Sequence, residues 1–150
     1  MDHKFRIDLI RLVEAHFALN IQYKWEKDAS IEMQHSIEIK HENDDKILSV
    51  LVTVSSNSEK QPFRFTVSCQ GVFTFEKIPE KDALERIAQI NCASIIFPYL
   101  RESVADLTRR ANISPLNMPP MNFVALYEEK QKAVTLAAPK KPVKKSKAKK

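Results

Sequence analysis

The chain has 150 residues and a single glycine, Gly71, so no glycine-rich phosphate loop, dinucleotide fingerprint or nucleophile elbow can be written in it. Its +5 charge is unevenly placed: residues 139–150 carry seven lysines and no acid, while residues 1–138 hold 17 basic against 19 acidic side chains, a net of −2. A hydrophobic fraction of 43% suits one packed core, and with no signal peptide and no apolar run long enough to span a bilayer the sequence reads as soluble and cytosolic, with Cys69 and Cys92 as reduced thiols.

Residues 5–19 alternate as Phe5, Ile7, Leu9 and then, after a slip at Leu9-Ile10, as Val13, Ala15, Phe17, Leu19, which predicts a long strand with one bulge. A helical face through Leu9, Leu12, Val13 and His16 is the alternative. Residues 20–30 read as a loop holding Tyr23 and Trp25. Strict alternation over 31–41 (Ile31, Met33, His35, Ile37, Ile39, His41) predicts a half-buried strand. Asn43-Asp44-Asp45 supplies a turn, residues 46–55 a third strand, Asn57 to Pro62 a second turn, and residues 63–75 a fourth strand with Gly71 on its apolar face. A lone glycine there marks a bulge or the close approach of another backbone.

Pro79-Glu80-Lys81-Asp82 has the composition of a helix start, and Leu84, Ile87, Ala88, Asn91 follow at helical spacing. A second helical segment is expected from about Ser94 to Ala111, with Pro98 in its first turn or at a kink. Pro115, Pro119 and Pro120 impose a structured loop, and Phe123, Leu126, Tyr127, Lys130, Val134 suggest a last helix. Strands followed by helices argue an α+β fold: a four-stranded antiparallel sheet, a long broken helix and a C-terminal helix.

Few residues signal chemistry. His35 and His41 share a strand face but stand roughly 20 Å apart at about 3.3 Å per residue, too far to bind one metal. Neither cysteine has a CxxC partner, and Ser94 and Ser103 lack a visible base. No specific catalytic signal stands out, though a site can assemble in space from distant residues. The apolar faces of strands two to four exceed what helices on one side can cover, and the third strand is apolar on both (Ile47, Val50, Leu51, Val52), so a second subunit, a partner or a bound chain is expected on the other face.

Residues 91–102, Asn-Cys-Ala-Ser-Ile-Ile-Phe-Pro-Tyr-Leu-Arg-Glu, resemble the core signature of the bacterial protein-export chaperone SecB. Residues 115–127, a proline-bounded loop leading into Asn122-Phe123-Val124-Ala125-Leu126-Tyr127, resemble that family's second signature. Phe5-Arg6-Ile7, Trp25 and Gln70-Gly71-Val72-Phe73 fall in family order.

The resemblance implies a chaperone domain over 1–138 in which two sheets pair into a dimer and two dimers into a homotetramer. It implies no enzymatic activity and no cofactor, but a holdase that keeps unfolded preproteins competent for export and passes them to the motor SecA. A specialised chaperone for the antitoxin of a toxin–antitoxin system is the family's second role. Client-binding grooves are then expected on Tyr23, Trp25, Ile31, Met33, Met121, Phe123 and Tyr127, and oligomer contacts on Phe65, Val67 and Cys69. The positions matching the family's acidic motor-docking residues are Glu14, still acidic, and Ala18; Arg64 and Thr66 replace a leucine and a glutamate on the fourth strand.

Residues 139–150 depart from the family. Lys140, Lys141, Lys144, Lys145, Lys147, Lys149 and Lys150 are expected to form a disordered, Lys-rich tail able to touch a polyanion, which leaves a nucleic-acid-binding adaptor as a third reading.

Overall fold

A computed structural model describes residues 4–25 and 33–137. Four strands, β1 (Phe5–Leu19), β2 (Ser36–Asp44), β3 (Ile47–Ser56) and β4 (Phe63–Phe75), form one antiparallel sheet in the order β1-β4-β3-β2. The helical segments are α1 (Lys81–Arg86), a π-helical turn (Ile87–Cys92), α2 (Ala93–Arg110) and α3 (Phe123–Ala137).

The β2–β3 hairpin turns on Asp45-Lys46, one step later than Asn43-Asp44-Asp45 suggests, because the ladder runs on to the Asp44–Ile47 pair. Asp45 takes the left-handed conformation, φ 51°, which a short polar side chain tolerates. β2 starts at Ser36, later than the expected 31, since Met33, Gln34 and His35 belong to no strand; Ile31 lies outside the described residues.

β1 carries two register shifts, at Asp8 and at Val13, and not one slip at Leu9-Ile10. Each extra residue reverses the alternation, so Phe5, Ile7, Ile10, Leu12, Ala15, Phe17 and Leu19 pair with the inward residues of β4.

Leu48, Val50, Val52 and Val54 of β3 and Val67, Cys69, Phe73 and Phe75 of β4 pack beneath the helices and are almost wholly buried. Phe65, Val67 and Cys69, expected at an oligomer interface, therefore belong to the core of the single chain. The opposite sheet face is mixed: Leu9 and Ile47 stay 40% and 48% exposed on it, as the sequence leads one to expect, but polar pairs take much of the rest. Ser36 and Ser55 (2.9 Å), Thr53 and Ser68 (2.7 Å), and Gln70 Nε2 donating to Ser49 Oγ (2.7 Å) form hydrogen-bonded rows across it. Uncovered apolar surface lies on β1, since α2 crosses β3 and β4. Ile7, Leu12 and Leu19 point to the helix side of the sheet yet stay 44–53% exposed.

Gly71 answers to a helix side chain and not to another backbone. A Cβ there would lie 2.8 Å from Ile96 Cδ1 of α2 and 2.7 Å from the Phe73 ring. β4 itself has no bulge at this point; the irregularities are in β1.

The helical run is continuous from Lys81 to Arg110, although Pro98 lies inside α2. A proline in a helix costs about 3 kcal/mol. Burial of Ile96, Phe97, Leu100 and Val104 around it, at roughly 1.5–3 kcal/mol each, outweighs that. α2 ends in a Schellman motif: Ile113 N–H donates to the Thr108 carbonyl (3.2 Å), Asn112 N–H to the Arg109 carbonyl (2.9 Å), and Asn112 sits at φ 58°. Asn122 caps α3, its Oδ1 accepting from Ala125 N–H at 3.1 Å.

Candidate functional site: an apolar groove at one end of the sheet

Where β1 ends and β4 begins, Leu19 and Phe63 stand opposite each other. With Trp25, Met33 and the segment 111–116 they line an open groove of about 580 Å³. Among the described residues, none of those that line it, Leu19, Trp25, Met33, Phe63 and 111–116, is ionisable. Trp25 is 55% exposed and rests edge-on against Tyr23, ring centroids 5.4 Å apart.

Two polar assemblies, buried at Ser56, Gln61 and Thr108, hold the walls. On one side Asn20, at the exit of β1, donates its N–H to the Pro62 carbonyl (2.8 Å) and its Nδ2 to the Glu59 carbonyl (3.0 Å). The buried Gln61 Nε2 donates to Ser56 Oγ (2.8 Å) and to the Phe63 carbonyl (2.9 Å), and Ser56 Oγ donates to the Gln34 carbonyl (2.7 Å). This network fixes the chain just before Ile21 and just after Met33, the two ends of the crossover that presents Trp25. On the other side Thr108 is fully buried; its hydroxyl donates to the Ala105 carbonyl (2.9 Å) and accepts Leu116 N–H (2.9 Å). One side chain thus holds the proline loop against α2. Asn20, Ser56, Gln61 and Thr108 are not visible as site residues in the sequence, because polar turn and helix positions gain this role only from tertiary burial.

The expected client-binding residues do not converge. Trp25 and Met33 line the groove, and Tyr23 supports Trp25. Phe123 is only 4% exposed and packs edge-on against Phe97 (5.4 Å), so it is core and not contact surface. Met121 packs half-buried against that core. Tyr127 lies half-buried beneath the Arg86 guanidinium, 5.6 Å from the ring centroid. Glu14 is exposed on the outer sheet face beside His16 (2.6 Å), and the register sets Ala18 opposite Arg64 on that face. The seven lysines of 139–150 lie outside the described residues.

Titration adds no reactive group to the groove. Burial pushes the Cys92 thiol up to about 12, and burial also raises Cys69, partly opposed by a hydrogen bond from Ser103. A hydrogen bond from the Thr74 hydroxyl, then Arg6, holds Asp8 below its ordinary value. Among the described residues no three His, Cys, Asp or Glu side chains cluster as metal ligands, and no helix is long and apolar enough to cross a membrane.

The chain is similar to proteins named protein-export protein SecB. It is 36% identical over 91 residues to that of Neisseria meningitidis serogroup A, and the match covers 61% of each chain, less than two thirds of the relative's length. It is 27% identical over 144 residues to that of Nitrosomonas eutropha, covering 82% of this chain and 89% of the relative. Among solved structures, a SecB-like chaperone of Mycobacterium tuberculosis in complex with an antitoxin peptide superposes with a TM-score of 0.68 at 19% identity, over 78% of this chain and 90% of that one; the likeness is one of fold. A family model described as preprotein translocase subunit SecB matches residues 13–134, most of the sheet and all of the helices but the end of α3, and the chain belongs to that family.

Proposed function

We propose that this protein is a holdase that binds extended, unfolded segments of preproteins and keeps them competent for export. The observation that carries the reading is the uncharged, open groove built on Leu19, Trp25, Met33 and Phe63. A folded partner would need a shaped pocket. An unfolded segment needs apolar surface that accepts many side chains, and Trp25 and Met33 are adaptable groups of that kind. Each client side chain buried contributes roughly 1.5–3 kcal/mol, against about 1–2 kcal/mol for each backbone residue fixed. Single contacts barely win, so tight holding requires several grooves on one assembly.

The bare apolar side of β1 supports such an assembly, with a second copy covering Ile7 and Leu12, away from the groove that Leu19 lines. A tetramer of two such pairs follows the family pattern. The sheet face that would meet SecA is not uniformly acidic: Glu14 stands beside His16, and Arg64 occupies the same face. A basic partner meets that corner less well than an acidic one.

Trp25→Asp tests the groove. It places a charge where the lining has none and touches no buried network. Suppression of aggregation of a denatured client is expected to fall at least tenfold, with the unfolding midpoint unchanged. Undiminished holding by this variant overturns the assignment.

A further inference from the structure

Beside the apolar groove lies a second opening, and this one is charged. It measures about 590 Å³ and sets Lys24, Lys60 and Arg64 against a single carboxylate, Glu59. We propose that this cleft receives an acidic side chain of the same client segment whose apolar residues fill the groove. The proposal rests on the holdase reading and names the segments that the site prefers: extended chain in which Asp or Glu follows directly on an apolar run.

Three observations carry it. First, the two openings are continuous. Leu19 lines both, and Tyr23 in the wall of the cleft stands edge-on to Trp25 in the wall of the groove. A segment laid across Leu19 meets apolar surface on one side and cations on the other. An extended chain advances about 3.3–3.6 Å per residue, so client residues close in sequence reach both.

Second, the cations are unspent. Among the described residues none of Lys24, Lys60 and Arg64 forms an ion pair, whereas Arg109 and Arg110 both pair with Asp106. Residues 1–138 are net negative, at 17 basic against 19 acidic, so the positive charge here is local. Arg64 adds a planar fork that suits a carboxylate. Ile21, also in the lining, is 86% exposed and offers apolar contact to the stem of the incoming side chain. A phosphate backbone is the poorer occupant: beyond the three cations it would run past Glu59 or over the uncharged groove.

Third, the cleft is built before anything enters it. Its walls are two turns, and Asn20 ties them together. Asn20 Nδ2 donates to the carbonyls of Glu59 (3.0 Å) and Gln61 (3.2 Å), while the Asn20 carbonyl accepts Tyr23 N–H (3.1 Å) and its Oδ1 accepts Gln22 N–H (3.2 Å). Ser58 Oγ accepts Lys60 N–H (3.3 Å) in the facing turn. Little backbone has to be ordered on binding, which favours affinity.

The experiment uses three extended peptides that share one apolar run and end in two aspartates, two asparagines or two lysines. Their affinities are measured for the full chain and for a full-length variant carrying Lys24→Gln, Lys60→Gln and Arg64→Gln. All three residues are exposed, so the unfolding midpoint is expected to stay unchanged. The full chain is expected to bind the aspartate peptide about tenfold more tightly than the asparagine peptide at low salt, and about twofold at high salt, since exposed ion pairs are screened. It should bind the lysine peptide most weakly. In the variant the preference for aspartate is expected to shrink by at least about threefold, with the asparagine peptide bound as before. The lysines of 139–150 are present in both proteins and cancel in the comparison. An equal preference in both proteins, or weaker binding of the asparagine peptide by the variant, overturns the proposal. So does a short single-stranded RNA that loses more affinity in the variant than the aspartate peptide does, which would assign the cleft to phosphate. The asparagine peptide reports the groove alone. Its failure to bind the full chain overturns the holdase reading and the cleft with it, whereas its binding with no preference for aspartate overturns the cleft only.

Discussion

At Gly71 one methyl group decides how closely α2 can lie on the sheet. An alanine Cβ would press into Ile96 Cδ1 and the Phe73 ring, both fully buried and without room to retreat. Gly71→Ala is expected to cost about 1–3 kcal/mol, read as a lower denaturant midpoint, because overpacking a dense core displaces its neighbours. Cys92 makes a different test. Its thiol is held neutral by burial, up to about 12 against an ordinary 9.0. Below the ordinary value, folded and unfolded chains both carry the proton and nothing is lost. As pH rises from about 9 towards about 12 the unfolded chain ionises and the folded one does not, so stability falls through that window. Urea unfolding at pH 8 and above pH 10 should show the decline, and Cys92→Ala should lessen it, leaving the smaller part due to Cys69. Both residues are legible in part from sequence. A glycine on an apolar strand face announces a close approach, but only the fold says that it is a helix side chain that approaches.

Among the elements, the strands are the most legible, because alternation and turn residues are local. β4 spans the predicted 63–75 and β1 the predicted 5–19. What parity cannot supply is which face the helices take. Phe65, Val67 and Cys69 share a face in any reading, yet only the crossing of α2 over β3 and β4 makes that face the core. The same crossing leaves β1 bare. Pro98 misleads for a related reason: its local cost is fixed, and the burial that outweighs it is tertiary. The wall of the groove depends on one element junction, where Thr108 of α2 accepts Leu116 N–H. Thr108→Val keeps the shape and removes the hydroxyl, leaving that N–H without its partner at a cost of about 1–3 kcal/mol. Weaker client holding is expected with it, out of proportion to the loss of stability, since the proline loop is released from α2. Titration with a client peptide beside a denaturation curve separates the two effects.

For the whole molecule, the 17.3 kDa chain carries more apolar edge than a lone subunit needs. Leu9, Leu12 and Val13 are 40–53% exposed along one strand. Sedimentation should give a mass that is a multiple of the chain, and Leu12→Lys should lower it while leaving the unfolding midpoint of the subunit within about 0.5 kcal/mol, as for other exposed substitutions. The same strand has a second property. β1 sets 15 residues against 13 of β4, and the surplus is Asp8 and Val13, unpaired while Ile7, Leu9, Leu12 and Glu14 keep their partners. In terms of descent, these are two positions where chain length can drift. Loss of either residue leaves every other side chain of β1 on the face that it already occupies and alters only the twist of the edge, so relatives can differ in length here without differing in core.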